Sequence, residues 1–313
     1  MHPAPSIIMF TALSGVGFGL LIWLGLGVPA LSGWAAFWAF GLAYGLSVVG
    51  LISSTLHLGP PERALKAFLQ WRSSWLSREG VVSVAALLVM APFAFWRVFL
   101  VPGGVGGLVG LDGLEGSAGL EWLRWLGVLG AALSLLTVIC TSMIYAQLKT
   151  VPRWNMGLVP VLFVLFSISG GALVTAPVAQ TVMGTVVMLL VLTVLQWGYW
   201  RQGDRRFAAA GHSMETATGL GGIGSVRLLE SPHSGTNYLL REMAFQIGRK
   251  HQRRLRLIAA VMVGLVPALL LVTVPLWWAG LAALGVHLVG LFASRWLFFA
   301  EAEHVVGLYY GKR

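Results

Sequence analysis

A histidine and a glutamate, His57 and Glu79, stand at the two ends of a polar stretch that joins two long apolar runs. An imidazole titrates near neutral pH, and the titration of a carboxyl group at a membrane edge can be tuned by its surroundings. The pair is therefore suited to exchanging protons with a bound redox ligand. The alternative is that His57 is a solvated helix-end residue and Glu79 a favourable charge at a helix N-terminus. The residue types alone leave both interpretations open.

The composition predicts that these residues belong to a membrane protein. Of 313 residues, 57% are hydrophobic and only 10% are charged, and the mean hydropathy is +0.82, so the chain has too little polar surface to coat a soluble globule. Continuous apolar runs of spanning length favour helices over the alternating strands of a β-barrel. We expect an all-α polytopic protein with eight transmembrane helices. Their predicted bounds are 6–28, 33–57, 80–101, 123–148, 157–177, 181–200, 257–277 and 280–300.

The distribution of Lys and Arg predicts the orientation of these helices. Nineteen of the 21 basic residues fall on one side of the predicted spans, and only Arg97 and Arg124 fall on the other. Basic loops are retained in the cytoplasm. Both termini and the stretch from His57 to Glu79 are therefore predicted to be cytoplasmic. The same rule accounts for most of the net charge of +10, which is not a signal for nucleic acid.

The chain is predicted to form a single transmembrane domain, residues 1–313, with two special segments. In residues 59–78, a Pro-Pro pair is followed by recurring apolar residues and by Trp71 and Trp75, which is typical of an amphipathic helix lying in the membrane interface. Residues 201–256 are strongly basic and are interpreted as a cytoplasmic docking loop that another subunit orders.

The other histidines and the cysteine do not form a recognisable haem or metal site in the sequence. His287 falls in the outer half of the last span while His57 falls at the inner end of the second, so they do not match in depth as axial ligands of one haem. We interpret His287 as a packed or hydrogen-bonded residue and expect no haem and no metal site. The lone cysteine, Cys140, cannot hold an iron-sulfur cluster by itself.

A quinone is the redox ligand that this location favours, because it enters a protein from the bilayer and its headgroup meets the membrane interface. Its reduction takes two electrons and two protons. His57 would hydrogen-bond one ring carbonyl, and Glu79 would connect the site to the cytoplasm.

Several separated motifs resemble the membrane anchor subunit of dimethyl sulfoxide reductase-type molybdoenzymes. The likeness extends over essentially the whole chain. The motifs are H-L-G-P-P-E-R-A from residue 57, W-R-S-S-W-L-S-R-E from 71, T-S-M-I-Y-A from 141, P-H-S-G-T-N-Y-L from 232, R-E-M-A-F from 241 and R-W-L-F-F-A-E-A-E-H from 295.

This resemblance implies eight helices, no haem, and a quinone site whose histidine and glutamate match His57 and Glu79. It implies ubiquinone or menaquinone as the ligand, a bacterial inner membrane, and two partners, an iron-sulfur electron-transfer subunit and a molybdopterin catalytic subunit, which carry the clusters and the molybdopterin. Membrane lipid is the other expected partner. Further candidates for the quinone site or the docking face are Arg78, Trp75, Tyr145 and Lys149.

The predicted orientation favours one branch of this family. With the matching site on the cytoplasmic side, the chain resembles the anchor of the cytoplasmic sulfite-oxidising enzyme. In that enzyme electrons from sulfite would reduce quinone. One alternative is a quinol-oxidising anchor of a dimethyl sulfoxide-type reductase. Another, from a different class, is a membrane transporter, which should carry charged or broken-helix features near the membrane midplane. The predicted spans place no carboxylate there.

Overall fold

The computed structural model of the chain describes residues 2–55, 66, 68–101, 104–105, 120–230, 235 and 251–310. In this part of the chain every long element is a helix and no strand occurs. Among the described residues, eight helices are long and apolar enough to cross a membrane, which confirms the predicted number. They are α1 (Pro5–Gly25), α2 (Gly33–Thr55), α3 (Trp75–Leu100), α4 (Leu123–Ala146), α5 (Leu158–Ala179), α6 (Val182–Ala209), α7 (Gln252–Thr273) and α8 (Ala279–Ala300).

Three helices extend well beyond the apolar runs that predicted them. α7 begins at Gln252, five residues before its predicted start. α3 begins at Trp75, five residues before the predicted start, where the Ser74 hydroxyl oxygen accepts a hydrogen bond from the Ser77 N–H. α6 continues to Ala209, nine residues past its predicted end. Hydropathy marks only the part of a helix that lies in hydrocarbon, whereas backbone hydrogen bonds continue into the polar region. Glu79 and Asp204 consequently lie within helices.

α1 is the most buried of the eight helices and packs closely on α5. At their crossing, a Cβ on Gly19 would lie 1.7 Å from the Ser167 carbonyl oxygen, and one on Gly171 would lie 2.4 Å from the Gly19 backbone. The indole N–H of Trp23 donates to the Ile168 carbonyl oxygen at 2.9 Å. Small residues allow such close backbone approach, which is how helices associate in lipid. α2 and α6 are the most exposed of the eight.

Glycines also set two other helix crossings. α4 meets α3 at Gly130, where an added Cβ would lie 2.8 Å from the Met90 side chain. α8 meets α7 at Gly290, where a Cβ would lie 2.6 Å from the Val263 backbone nitrogen. These crossings bring the second half of α4 beside the start of α3, and α8 beside α7.

The helix ends gather at two opposite faces of the bundle. The Arg97 side chain, near the end of α3, donates to the Leu31 carbonyl oxygen between α1 and α2 at 2.6 Å. At the other face α2, α4, α6 and α8 end, and α3, α5 and α7 begin. We call this face the basic end, because nearly all described Lys and Arg outside the helix cores lie there.

The described parts of both special segments predicted from the sequence lie at the basic end. Of residues 59–78, only Lys66 and residues 68–78 are described; Phe68–Gln70 form a short 3₁₀ turn, and α3 starts at Trp75. The interfacial helix therefore stays a prediction. After α6, Met214–Thr218 form a short capped helix, and residues 219–230 have no regular structure. The docking role of residues 201–256 also stays a prediction.

The C-terminal segment folds back on the basic end. A 3₁₀ helix, Val305–Tyr310, follows α8, and the Val305 N–H donates to the Thr150 carbonyl oxygen at 3.0 Å. The Tyr309 hydroxyl donates to the Ala217 carbonyl oxygen. These bonds join the chain after α8 to the segments that follow α4 and α6.

Candidate functional site

Glu79 lies in the second turn of α3, and its side chain points into the bundle. Only 4% of the residue is exposed. Its carboxylate oxygen Oε1 has no hydrogen-bond partner among the described residues. Buried polar atoms are nearly always paired, so a proton, a water molecule or a ligand is required to complete the bonding of this carboxyl group.

The neighbours of the Glu79 carboxyl come from the last two turns of α4. The Thr141 hydroxyl lies within hydrogen-bonding reach, and it donates its own proton to the Thr137 carbonyl oxygen at 3.0 Å. In this arrangement the Thr141 oxygen is free to accept a hydrogen bond from a protonated carboxyl group. Cys140 and Tyr145 belong to the same two turns of α4, and both are buried.

Arg78 and Trp75 hold the segment before α3 against the start of that helix. The Arg78 guanidinium lies over the Trp75 ring, 4.4 Å from its centroid. It donates from Nε to the Trp71 carbonyl oxygen at 2.9 Å and from Nη2 to the Arg72 carbonyl oxygen at 2.6 Å. Arg78 thus organises the turn that leads into Glu79. His57, the other main candidate, lies outside the described residues.

Tyr145 and Lys149, the remaining candidates, occupy different environments. Tyr145 is 7% exposed and packs in an aromatic cluster. Its ring centroid lies 5.3 to 5.8 Å from those of Trp154, Phe163, Phe298 and Phe299. Lys149 follows the end of α4 and is exposed at the basic end. The structure therefore brings Glu79, Arg78, Trp75 and Tyr145 to one region where α3 and α4 meet, and leaves Lys149 on the surface.

Four charged residues form a cluster that the sequence analysis did not identify. We call Arg153, Asp204, Arg256 and Glu301 the ionic cluster. Arg153 bonds Asp204 at 3.0 Å and Glu301 at 2.5 Å; Arg256 bonds Asp204 at 2.6 Å and Glu301 at 2.8 Å. Two arginines and two carboxylates compensate each other, which buried charges require. The cluster ties α6, α7 and α8 to the segment between α4 and α5.

Asp204 is the most exposed member of the ionic cluster. Its side chain is 43% exposed, whereas those of Arg153, Arg256 and Glu301 are between 7% and 10% exposed. One signal for this cluster is present in the sequence, because Asp204 and Glu301 are acidic residues amid a strongly basic face. In the Sequence analysis, Arg153 and Arg256 contributed only to the number of basic residues from which the orientation of the helices was predicted.

Arg295 is a third basic residue that the Sequence analysis used only to predict the orientation of the helices. It lies inside the bundle, 3% exposed, with its guanidinium carbon 3.7 Å from the Phe163 ring centroid and 5.0 Å from that of Phe166. Among the described residues it forms no salt bridge, and its Nε atom has no hydrogen-bond partner. A charge in this position is costly in a membrane unless it is stabilised, and here two aromatic faces supply part of that stabilisation.

His287 is a packed residue, as the sequence analysis interpreted it. It is fully buried, and its Nδ1 atom lies 2.8 Å from the Val263 carbonyl oxygen on α7. Because the partner is a carbonyl oxygen, Nδ1 carries the proton and donates it. In the part of the chain that the structure describes, no group of three His, Cys, Asp or Glu side chains is placed to bind a metal ion.

The fold and this site define an all-helical multi-pass membrane protein with a buried carboxyl group near one face. Residues 1–299 match the family model of the DMSO reductase anchor subunit (DmsC), and the chain belongs to that family. As an anchor subunit, it is part of an oxidoreductase complex with electron-transfer and catalytic partners.

One relative is similar over nearly its full length. The chain is 31% identical over 332 aligned positions to a sulfite dehydrogenase subunit of Allochromatium vinosum, covering 99% of both proteins. No solved structure matches the chain. The resemblance inferred from the sequence motifs is therefore confirmed.

Proposed function

We propose that the chain is the membrane anchor of a heterotrimeric molybdopterin oxidoreductase and that it exchanges electrons with the quinone pool, in the direction of sulfite oxidation and quinone reduction. It holds an iron-sulfur subunit and a catalytic subunit at the cytoplasmic face of a bacterial inner membrane. The family and the relative named for sulfite dehydrogenase support this proposal. The concentration of basic residues at one end of the bundle supports the orientation.

The observation that carries the proposal is the environment of Glu79. The Glu79 carboxyl group is 4% exposed, lies at the start of a membrane span and has one oxygen without a hydrogen-bond partner among the described residues. This environment fits a site that passes protons to a ligand from the bilayer. The quinone supplies two-electron redox chemistry when bound. The Glu79 carboxyl group holds and passes the proton, Thr141 lies within its hydrogen-bonding reach, and the turn held by Arg78 leads into Glu79. His57, which follows α2 in the sequence and lies outside the described residues, is proposed as the hydrogen-bond partner of the ligand.

The test is quinone-coupled electron transfer in membranes that contain the whole complex, comparing wild type with His57→Ala and Glu79→Gln. We expect both variants to lose quinone reduction by about 100-fold or more, the usual effect of removing a general acid or base. Sulfite oxidation with an artificial electron acceptor should persist, because it bypasses the anchor.

Glu121→Gln is the matched control, since Glu121 is an exposed carboxylate just before α4 at the opposite end of the bundle. It should leave quinone coupling unchanged. Wild-type coupling in both His57→Ala and Glu79→Gln would remove the quinone site from this pair and leave the chain an anchor whose redox site lies elsewhere.

The reverse direction is the competing proposal, because the family model is named for a reductase. The same membranes distinguish the two directions. Sulfite-dependent quinone reduction is expected. Quinol-dependent reduction of dimethyl sulfoxide without sulfite activity would assign the chain to a quinol-oxidising complex instead.

A further inference from the structure

A small polar cavity lies inside the bundle, among α5, α6 and α8. Its polar lining consists of Gln196, Tyr199, Ser294 and Arg295, each no more than 3% exposed. The rest of the lining is apolar and comes from Val159, Leu162, Phe163, Phe166 and Phe298. The cavity has a volume of about 10 Å³, which is about the space that one water molecule needs. It therefore fits one water molecule or one monatomic ion and excludes larger ligands such as a quinone ring or an oxyanion.

The polar groups left free in this cavity are hydrogen-bond donors. The Arg295 Nε–H and the Tyr199 hydroxyl have no hydrogen-bond partner among the described residues. The Arg153 guanidinium carbon lies 5.9 Å from the Tyr199 ring centroid, but a guanidinium group only donates and so does not use the hydroxyl proton. The Gln196 side-chain oxygen accepts from the Ser294 hydroxyl at 3.3 Å, and the amide NH₂ of Gln196 remains a further donor. A ligand held here must therefore accept hydrogen bonds.

Arg295 brings a positive charge to this cavity without a carboxylate to compensate it. Among the described residues it forms no salt bridge, and its guanidinium carbon lies 3.7 Å from the Phe163 ring centroid. An aromatic face offsets only part of the cost of a charge buried in a membrane. Arg153 and Arg256, which are also buried, are each bonded to two carboxylates of the ionic cluster. A water molecule would satisfy the free donors and leave the charge of Arg295 uncompensated, whereas an anion does both.

We propose that the cavity is a binding site for one chloride ion, which pairs with the Arg295 guanidinium and accepts a hydrogen bond from the Tyr199 hydroxyl. Chloride is the common monatomic anion that is close to water in size. Tyr199 belongs to α6 and Arg295 to α8, so the ion joins two helices inside the bundle. It stabilises the fold, as the carboxylates of the ionic cluster do for their arginines, and takes no part in the proposed electron transfer.

The test is the thermal unfolding of this chain, followed by a fluorescent tag, within the whole complex purified in chloride-free gluconate buffer. Tm is compared in gluconate and in chloride at equal ionic strength. We expect chloride to raise the Tm of the wild type by about 2–4 °C, because a ligand that binds only the folded state stabilises it. Arg295→Met removes the charge and should have the same Tm in both salts. Equal Tm values for the wild type, or a chloride effect retained in Arg295→Met, would overturn the proposal.

Arg124→Met is the matched control, because Arg124 is an exposed arginine at the opposite end of the bundle. It should keep the full effect of chloride. Tyr199→Phe covers the case in which Arg295→Met does not fold, since it removes one hydrogen-bond donor and leaves the charge in place. We expect it to raise by about tenfold the chloride concentration that gives half of the stabilisation. An unchanged concentration would contradict the proposed contact with Tyr199.

Bromide allows a direct observation of the ion, because it replaces chloride and gives an anomalous X-ray signal. Crystals of the whole complex grown with sodium bromide should show an anomalous peak in the cavity, beside Arg295 Nε and the Tyr199 hydroxyl. Density without an anomalous signal would identify a water molecule and overturn the proposal, as would the absence of any density. Neither result bears on quinone coupling in Glu79→Gln, so failure of the chloride site would leave the proposed function standing.

Discussion

Gly203 lies in α6 against the guanidinium group of Arg153. A Cβ at position 203 would be 3.1 Å from both Cζ and Nε of Arg153, which is closer than ordinary side-chain contact. Arg153 is held by two carboxylates and has little room to move. The absence of a side chain at Gly203 therefore allows the ionic cluster to close.

We expect Gly203→Ala to destabilise the protein by about 1–3 kcal/mol, the usual effect of overpacking a close contact. The cause is displacement of Arg153 from Asp204 and Glu301. Thermal unfolding of the purified complex in detergent measures the effect.

Gly198→Ala is the control on the same helix, because no atom of the described residues lies within 4 Å of a Cβ at that position. It should be neutral or stabilising by up to about 1 kcal/mol, the difference in helix propensity between Gly and Ala. Equal stability of the two variants would show that Arg153 is not confined as described.

Among the elements at the basic end, the short helix Met214–Thr218 holds the irregular segment that follows it. The Glu215 side chain accepts a hydrogen bond from the Val226 N–H at 3.2 Å. Hydrogen bonds from its own backbone N–H, the Ser213 side chain and the Val226 N–H lower the pKa of Glu215 below its ordinary value. The ionised carboxylate is therefore the form that retains residues 219–226.

Because the pKa of Glu215 is lowered, the stabilisation of residues 219–226 depends on pH. The ionised Glu215 carboxylate stabilises this segment above the ordinary pKa of a glutamate, and the stabilisation is lost as the pH falls through the lower folded-state pKa. We expect the Val226 amide to be protected from hydrogen exchange at neutral pH. In Glu215→Gln, protection should be reduced at neutral pH and should approach that of wild type at low pH. Equal protection in both proteins at neutral pH would contradict this role.

At the scale of the whole molecule, the basic end is the face that we propose to be cytoplasmic. The native Cys140 is buried within α4, so it contributes little background in thiol-labelling experiments. Leu229, which is 87% exposed, and Glu121, at the opposite end, offer one labelling position at each face.

We expect an impermeant thiol reagent to label Glu121→Cys in whole cells and Leu229→Cys only in inverted membrane vesicles. The physical reason is the retention of basic segments on the cytoplasmic side. The reverse labelling pattern would place the basic end, and with it the partner subunits, on the outer face. Labelling should be carried out both with and without the partner subunits, since a docked partner would shield Leu229.

Much of this architecture follows from local properties of the sequence. The eight spans, their connecting order and the position of Glu79 near one membrane face depend on hydropathy and charge within windows of about 20 residues, so they were predictable. The bounds of α3 and α6 were less predictable, because helical hydrogen bonding continues past the apolar run. The family membership was evident from separated motifs, since these preserve residue types at matching positions along the chain.

Only the tertiary structure shows which polar residues meet inside the bundle. Arg295 and Arg153 look alike in the sequence, yet one lies between phenylalanine rings in the core and the other lies in the ionic cluster. Arg153 and Glu301 are 148 positions apart and meet at 2.5 Å. Such contacts depend on how each helix is rotated and where helices cross, and those are set by glycine contacts such as Gly19 with Ser167. The sequence alone determined a multi-pass anchor subunit with a candidate carboxyl group, whereas side-chain packing across distant helices decided which residues surround that group and which charges meet in the ionic cluster.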